Sequence, residues 1–212
     1  MNKRLIALIS VVALAVATYV LGYSSLFTVS EVSIVGSKNP INPGIQIGQK
    51  LARVEPRAIA AKFETLDWVA SARVSRNWIN GKVSIELRER TPVATFENKV
   101  IDATGKSFIP KTQPTRTLIQ IQASDLESAV SAVSFISALP KELQRSLSII
   151  KVRSTGAFVL EIDNGGKNLE IRWGTNSDNE LKVKVYQALL ALPENSEIKR
   201  IDVSAPHAPI VK

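Results

Sequence analysis

The residue types that most often perform nucleophilic or acid–base chemistry are scarce in this chain. Its 212 residues include no cysteine and a single histidine, His207, which excludes thiol catalysis and the usual Cys/His zinc sites. A Ser–His–Asp triad would have to use His207, which lies between Pro206 and Pro209. No G-x-S-x-G segment supplies a hydrolase serine elbow, so the sequence indicates no nucleophilic site.

Carboxylates are the remaining candidates for catalysis, because a wall-active glycosidase needs two of them about 5–10 Å apart in a cleft. Asp163 and Glu170 lie beside a turn or on the outward side of predicted strands. Asp102 precedes a glycine turn and is expected to accept hydrogen bonds from its own backbone. The segment 164–166 (NGG) is too short for a phosphate loop. We therefore predict a protein that is not an enzyme and needs no metal, cofactor or small-molecule substrate.

The N-terminal segment predicts a membrane anchor. Residues 5–23 (LIALISVVALAVATYVLGY) carry no charge and follow the basic tail 1–4 (MNKR). At about 1.5 Å per residue they would cross a hydrocarbon core of roughly 30 Å, with the basic tail in the cytoplasm. A cleavable signal peptide is the alternative, because residues 13–17 (ALAVA) fit the small-x-small cleavage pattern. Both interpretations export the rest of the chain.

The net charge of +8 is scattered rather than concentrated. No long run of like charge and no nucleic-acid-binding motif is present. Charges this scattered favour a solvated surface over binding to anionic lipid or wall polymers.

Hydrophobic periodicity predicts a small β-α-β-β unit after the anchor. Phe27–Val35 alternates like a strand, and a helix starts near Pro56, with apolar residues at helical spacing up to Leu66. Ala70–Trp78 predicts a second strand, and the residues after Gly81 a third. Asn80-Gly81 favours a two-residue type I′ hairpin turn between them.

The remainder of the chain predicts an α+β layer fold, with an antiparallel sheet and two helices on one face. The helices are expected at Ser124–Leu139, ended by Pro140, and at Asn176–Leu192. Strands are predicted at Phe96–Ile101, Lys106–Ile109, Thr115–Gln122, Leu147–Arg153, Phe158–Asp163, Leu169–Trp173 and Lys199–Ser204. The three tryptophans are expected to pack in the interior or at interfaces.

Several blocks of the sequence resemble the FtsQ/DivIB family of bacterial cell-division proteins. They are FTVSEVSIVG, VASARVSRNW with VSIELRERTPVA, VIDATGKSF, IRWGTNSDNELKVKVYQALL and IDVSAPHAPIVK. The sequence departs from the family at Ile79, where a proline usually follows the tryptophan. The resemblance implies an anchor, a POTRA domain over residues 26–94, a C-terminal β domain over 95–205 and a proline-containing tail over 206–212.

The same resemblance implies a scaffold of the division machinery at the septum of the cell membrane, regulating septal peptidoglycan synthesis. Its expected partners are the membrane-anchored proteins FtsB and FtsL, with FtsK and the septal peptidoglycan synthase complex as further candidates. An exposed edge strand suits this role, because a partner can add a strand to it. The alternative for this region is a strand that only completes the sheet. The expected partner-binding residues are Lys199, Arg200, Ile201, Asp202, Val203, Ser204, Ala205 and Pro206.

The basic hairpin offers a second candidate surface. Arg73 and Arg76 could form a partner-facing stripe of the POTRA domain, or could make exposed cross-strand ion pairs with Glu86 and its neighbours. An alternative function is an envelope transport module that binds polypeptides by strand addition. That alternative predicts several POTRA repeats or a barrel, and one copy is recognisable here.

Overall fold

A computed structural model of the chain describes residues 3–23, 27–37, 41–115, 117–164 and 166–212. They form two compact units, Met1–Arg90 and Thr91–Lys212. The sequence placed this boundary after Ala94, whereas strand Pro92–Phe96 pairs within the second sheet. Parts of the predicted cytoplasmic tail, of the loop after Gly36 and of the NGG turn lie outside the described residues.

Helix α1 (Lys3–Tyr23) forms over the predicted anchor. Two hydroxyl groups on it donate to backbone carbonyls four residues earlier, Ser10 to Ile6 and Thr18 to Leu14. A bilayer-spanning helix needs about 20 predominantly apolar residues. Within the described ranges, no helix combines sufficient length with sufficient apolar character to cross a membrane. The anchor over residues 5–23 stays a prediction from the sequence.

The first unit has the predicted order of strand, helix, strand, strand. Its elements are β1 (Glu31–Val35), a 3₁₀ helix (Leu51–Arg53), α2 (Pro56–Glu64), β2 (Val69–Arg76) and β3 (Lys82–Glu89). Strand β3 lies in the centre, parallel to β1 and antiparallel to β2. Pro56 starts α2, where the missing N–H costs no helical bond. Val29, Leu51, Val54 and Val83 form one buried cluster, with partly buried residues packed around them. The side chains of Phe63, Trp68, Val69, Ile85 and Leu87 are also buried in this unit.

The β2–β3 hairpin turn differs from the predicted type I′ turn. The Asn77 N–H donates to the Lys82 carbonyl at 2.8 Å, and the Gly81 N–H donates to the Asn77 carbonyl at 3.0 Å. The connection is therefore a four-residue loop, 78–81. Gly81 has a positive φ of 71°, whereas Asn80 does not. A Cβ at Gly81 would lie 2.4 Å from the Thr28 carbonyl oxygen, so close packing against the segment before β1 determines this loop.

The second unit is built on one sheet. Its strands are β4 (Pro92–Phe96), β5 (Lys99–Asp102), β6 (Ser107–Phe108), β7 (Ile119–Gln122), β8 (Leu147–Val152), β9 (Phe158–Asn164), β10 (Lys167–Gly174), β11 (Arg200–Asp202) and β12 (Ile210–Val211). Its α-helices are α3 (Leu126–Ala138), α4 (Lys141–Ser146) and α5 (Asn179–Leu190), followed by a 3₁₀ helix at Pro193–Asn195. The sheet order is β12-β11-β10-β9-β8-β7-β4-β5-β6.

The sheet is mixed, and the prediction of an antiparallel sheet was wrong. Strands β7 and β8 pair in parallel, as do β10 and β11, and β4 with β7. The first two pairs are joined by α3–α4 and by α5, respectively. A connection of a dozen or more residues that contains a helix commonly returns the chain to the same end of the sheet. The predicted helices are therefore crossovers.

One face of this sheet is apolar and joins the helices in a single core. Alternate strand residues such as Ile150, Leu160, Ile171 and Ile201 are completely buried in it. Phe135 of α3 stacks on Phe158 at 4.4 Å between ring centroids and contacts the edge of Trp173 at 5.7 Å. From α5, Tyr186 lies in the same core and Leu189 packs against it. The period-2 burial explains why a one-residue register slip would expose the core residues.

The other face carries cross-strand charges. The Lys151 Nζ lies 2.5 Å from the Glu161 carboxylate, across β8 and β9. The Glu170 carboxylate on β10 accepts a 2.7 Å hydrogen bond from the Arg200 Nε on β11, and the Arg172 Nε lies 3.5 Å away. Cross-strand ion pairs of this kind contribute only a few tenths of a kcal/mol up to about 1 kcal/mol each. The polar face therefore tolerates solvent.

Several local predictions were confirmed and others corrected. The Asp102 Oδ1 accepts hydrogen bonds from the Thr104 and Lys106 N–H groups at 2.9 and 3.0 Å. Asp125 caps α3 by accepting from the Ser128 N–H at 2.8 Å. The predicted strand Phe96–Ile101 is instead a hairpin, turning at Glu97 with a positive φ of 50°. Helix α4, directly after Pro140, was not predicted.

Candidate partner-binding edge

The C-terminus of the chain forms the last hairpin of the second sheet. Strand β11 continues the sheet in parallel to β10, and β12 turns back to pair antiparallel with β11. The Arg200 N–H donates to the Lys212 carbonyl at 3.0 Å, and the Lys212 N–H donates to the Arg200 carbonyl at 2.9 Å. The predicted edge strand Lys199–Ser204 is thus an inner strand, and β12 forms the edge.

The backbone groups that β12 offers to a partner follow from this pairing. In an antiparallel ladder, hydrogen-bonded residues alternate with residues whose N–H and C=O point to the other side. Because Lys212 exchanges both bonds with Arg200, Val211 directs its N–H and C=O outwards. Pro209 adds a carbonyl but no N–H. The Ile210 and Val211 side chains are 56% and 36% exposed, so backbone and side chains are both accessible.

The connection from β11 to β12 is well fixed. The Val203 N–H donates to the Arg172 carbonyl at 2.9 Å, and the Asp202 Oδ1 accepts from both the N–H and the hydroxyl of Ser204 at 3.0 and 2.6 Å. The Ala208 N–H donates to the Ala205 carbonyl at 2.9 Å, closing a turn with Pro206 at its second position, where its fixed φ is favourable. The loop is therefore preorganised to hold β12 at the edge.

The predicted partner-binding residues divide into two groups. Ile201 and Val203 are completely buried in the core, so their side chains position the strand. Arg200 is engaged by Glu170, and Asp202 by Ser204. Lys199, Ser204 and Ala205 are exposed, and Pro206 is half-buried in the turn. Of the predicted set, Lys199, Ser204 and Ala205 are therefore the most exposed residues.

Comparisons with known protein families agree with this architecture. A family model described as "POTRA domain, FtsQ-type" matches residues 27–90. A second, described as "Cell division protein FtsQ/DivIB, C-terminal", matches residues 90–204, more than half of the chain. The chain belongs to the FtsQ/DivIB family of cell-division proteins. The second match ends before β12, so the structure alone contributes that strand.

Curated proteins named cell division protein FtsQ are similar along most of the chain. The Streptomyces venezuelae protein is 29% identical over 78% of this chain, which covers 65% of that relative, just under two thirds of its length. The Streptomyces coelicolor protein is 25% identical over 97% of the chain and 86% of the relative. The Mycobacterium tuberculosis protein is 27% identical over 99% of the chain and 70% of the relative.

In the POTRA domain, the two predicted partner-facing arginines have different environments. Arg73 is exposed and lies opposite Glu86 in the β2–β3 ladder. The Arg76 Nη1 donates to the Leu51 and Val54 carbonyls at 2.8 and 2.7 Å, and its guanidinium carbon lies 5.1 Å from the centroid of the Trp78 ring. Arg76 therefore connects β2 to the 3₁₀ helix, a structural role that its sequence position did not reveal.

Most of the other side chains considered for chemistry have structural contacts in this FtsQ/DivIB chain. The Asp163 carboxylate accepts from the Gly166 N–H at 2.6 Å, and the Glu170 carboxylate pairs with Arg200. His207 is exposed in the turn before β12. Trp173 is completely buried, and its Nε1 donates to the Asn179 Oδ1 at 2.9 Å. Among the described residues, no cluster of three or more His, Cys, Asp or Glu side chains could hold a metal ion.

Near the edge, one pKa is shifted by an exposed ion pair. The Lys167 Nζ lies 2.7 Å from the Glu197 carboxylate, and this hydrogen bond and charge lower the pKa of Glu197. Glu197 precedes Lys199 by two residues, so the approach to β11 carries both signs of charge.

Strand β12 is the element of this edge that sequence analysis missed. Two β-branched residues, Ile210 and Val211, follow Pro209 at the end of a segment that composition marks as a tail. The available signal was the turn-forming Ala205-Pro206 followed by this apolar pair. Two residues are too short a run for the alternation that identifies longer strands.

Proposed function

We propose that the chain is a non-enzymatic scaffold of the bacterial division machinery. It acts at the septum, where it recruits or regulates partner division proteins that control septal peptidoglycan synthesis. Membership of the FtsQ/DivIB family supports a role in cell division. The specific partners, an FtsB-like and an FtsL-like protein, follow from the family resemblance and form part of the proposal.

The observation that carries the proposal is the accessible edge of β12. An extended segment of the FtsB-like partner pairs there with the Val211 N–H and C=O and with the Pro209 carbonyl. Main-chain hydrogen bonds supply affinity in such strand addition, and side-chain contacts supply specificity. The exposed side chains of Ile210 and Lys199 supply an apolar contact and a positive charge beside the added strand.

A proline substitution tests this mode of binding. Val211→Pro removes the outward N–H while leaving the bonds between Arg200 and Lys212 in place. Proline is tolerated on edge strands. Val211→Thr is the matched control, because threonine keeps both the N–H and the β-branched shape. We expect the purified full chain carrying Val211→Pro to bind the host's FtsB-like protein roughly tenfold or more weakly, a loss of about 1.4 kcal/mol.

Calorimetric titration measures that affinity, and the amide NMR signals of β11 report whether the hairpin remains formed. Unchanged affinity of the Val211→Pro variant, with an intact hairpin, would contradict strand addition at β12.

Depletion of the protein in its host tests the wider role. Elongated or chained cells without finished septa are expected, and rescue by Val211→Thr but not by Val211→Pro would connect septation to this edge.

A further inference from the structure

A groove in the second unit, away from the β12 edge, combines an apolar floor with two positive charges. Its volume is about 550 Å³, within the range of roughly 300–1,000 Å³ typical of ligand sites. Ile119, Ile136 and Leu147 line it and are each less than a tenth exposed, and Val93 is partly buried. The floor is therefore already formed by core residues.

The topology of the sheet places this groove. Strands β4, β7 and β8 run in parallel, so their first residues meet at one end of the sheet. Helices α3 and α4 return the chain from the end of β7 to the start of β8 and pass over that end. The groove lies between the strand ends and this helical crossover.

The charges come from Lys141 and Arg145, one turn apart on α4 and both exposed. In the described part of the chain, neither forms an ion pair. The acid of this helix, Glu142, lines a different, smaller cavity. Like charges at this spacing destabilise a helix, and a bound anion would relieve that repulsion.

These cations are not required to cap α3. The Gln144 Nε2 donates to the Leu139 carbonyl at 2.7 Å, and the Gln144 N–H donates to the Pro140 carbonyl at 3.0 Å. The Ser137 hydroxyl is bonded to the Val133 carbonyl at 3.0 Å. Ser137 and Gln144 are thus bonded to backbone. Among the described residues, no group accepts a hydrogen bond from the Lys141 or Arg145 side chain, so their donors remain for a ligand.

We propose that this groove binds an acidic peptide segment of a partner protein, with an apolar residue between two carboxylates. In an extended peptide, residues two apart are separated by about 6.8 Å, close to the roughly 5–6 Å between side chains one helical turn apart. The two carboxylates contact Lys141 and Arg145. The residue between them points to the opposite side and reaches the floor formed by Ile119, Ile136 and Leu147.

The groove is independent of the β12 edge. Strands β9, β10 and β11 lie between β8 and β12 in the sheet, a separation of roughly 20 Å at about 4.8 Å per strand. The unit could therefore hold two partner segments at once, and the groove does not depend on strand addition at β12.

A titration with defined peptides tests the groove. The probe is fluorescein-Gly-Ser-Glu-Leu-Glu-Ser-Gly, compared with versions in which both glutamates are lysine or the leucine is serine. Methyl NMR of the full chain follows Ile119, Ile136 and Leu147. We expect saturable shifts of these methyl signals with the Glu-Leu-Glu peptide. The double variant Lys141→Glu/Arg145→Glu should weaken binding roughly tenfold or more, whereas Arg153→Glu, an exposed arginine in the β8–β9 turn, should not.

Each contrary outcome overturns the proposal. Absence of saturation up to about 1 mM peptide, the weak end of the usual affinity scale, would exclude useful binding. Equal binding by the double variant or by the Glu-Ser-Glu peptide would show that the groove and its floor do not recognise the ligand. A retained dispersion of methyl signals in the double variant establishes that it is folded, so loss of binding is then attributable to the charges.

Discussion

Replacing Arg76 tests whether this arginine stabilises the POTRA domain from within. Arg76→Ala removes two charge-assisted hydrogen bonds, to the Leu51 and Val54 carbonyls, and a cation–π contact with Trp78. The Leu51 oxygen keeps a 3.2 Å bond from the Val54 N–H, so the Val54 carbonyl is the acceptor most affected. Arg73→Ala is the matched control, because Arg73 is exposed on the same strand.

The expected magnitude follows from these contacts. A hydrogen bond to a charged group contributes about 1.5–3 kcal/mol, and an exposed cation–π contact about 0.5–1 kcal/mol. Because Arg76 is only half-buried and its contacts are coupled, we expect Arg76→Ala to cost about 2–4 kcal/mol in the free energy of unfolding. For a unit of this size that corresponds to roughly 10–20 °C in Tm. Arg73→Ala should change the free energy of unfolding by less than about 0.5 kcal/mol.

Thermal unfolding of the purified chain, with hydrogen exchange localised to residues 51–54, measures the effect. Arg76→Lys should recover part of the loss, because one ammonium cannot reproduce the guanidinium geometry. Equal unfolding of the Arg76→Ala and Arg73→Ala variants would refute the structural role. Arg76 would then remain a candidate for the partner-facing surface that its sequence position suggested.

Two pH dependences follow from other residues. Lys182 is 1% exposed and donates to the Thr175 carbonyl. Burial lowers the pKa of Lys182, and the nearby Asp178 charge offsets this only partly. Because the folded pKa lies below the unfolded value of 10.5, stability should rise as the pH increases from the folded to the unfolded pKa. Lys182→Met should remove that rise in stability. Burial raises the pKa of Tyr186, but its titration affects parent and variant alike. Chemical unfolding from neutral to alkaline pH measures both proteins, and parallel stability profiles would disprove the role of Lys182. Hydrogen bonds from the Ser124 hydroxyl and the Ser128 N–H lower the pKa of Asp125, so its stabilisation of α3 is present above about pH 3.8 and is lost as the pH falls through the folded pKa. Acid unfolding of Asp125→Asn should lack this component, and an unchanged acid profile would show that the cap does not contribute.

Local chemistry in the sequence predicted the α-helices except α4, and most of the strands. Asp125 has an oxygen in capping position before an apolar stripe, and Pro140 ends that stripe, so the bounds of α3 were close to those predicted. Alternation identified the strands of the sheet core in the same way. These features depend on neighbours within a few residues, which a sequence pattern records directly.

Features that depend on distant contacts were mispredicted. Asn80-Gly81 has the composition of a two-residue turn, but the backbone at Thr28, far away in the chain, occupies the space beside Gly81. The parallel pairing of β10 and β11 depends on where α5 returns the chain. The role of Arg76 depends on carbonyls more than 20 residues away. Nothing within one turn or one strand carries that information.

The same reasoning explains why the predicted edge strand is an inner strand of the sheet. The alternation of Ile201 and Val203 indicated a strand, and a terminal strand was interpreted as an edge. Alternation records which side chains are buried, but it does not record whether another strand lies beside the backbone. Because β12 occupies that position, Ile201 and Val203 stabilise the core, and Val211 presents the accessible backbone groups. A truncating change at Ile201 should therefore lower stability first, whereas a change at Val211 should affect partner binding in a folded protein, which separates the two roles of one hairpin.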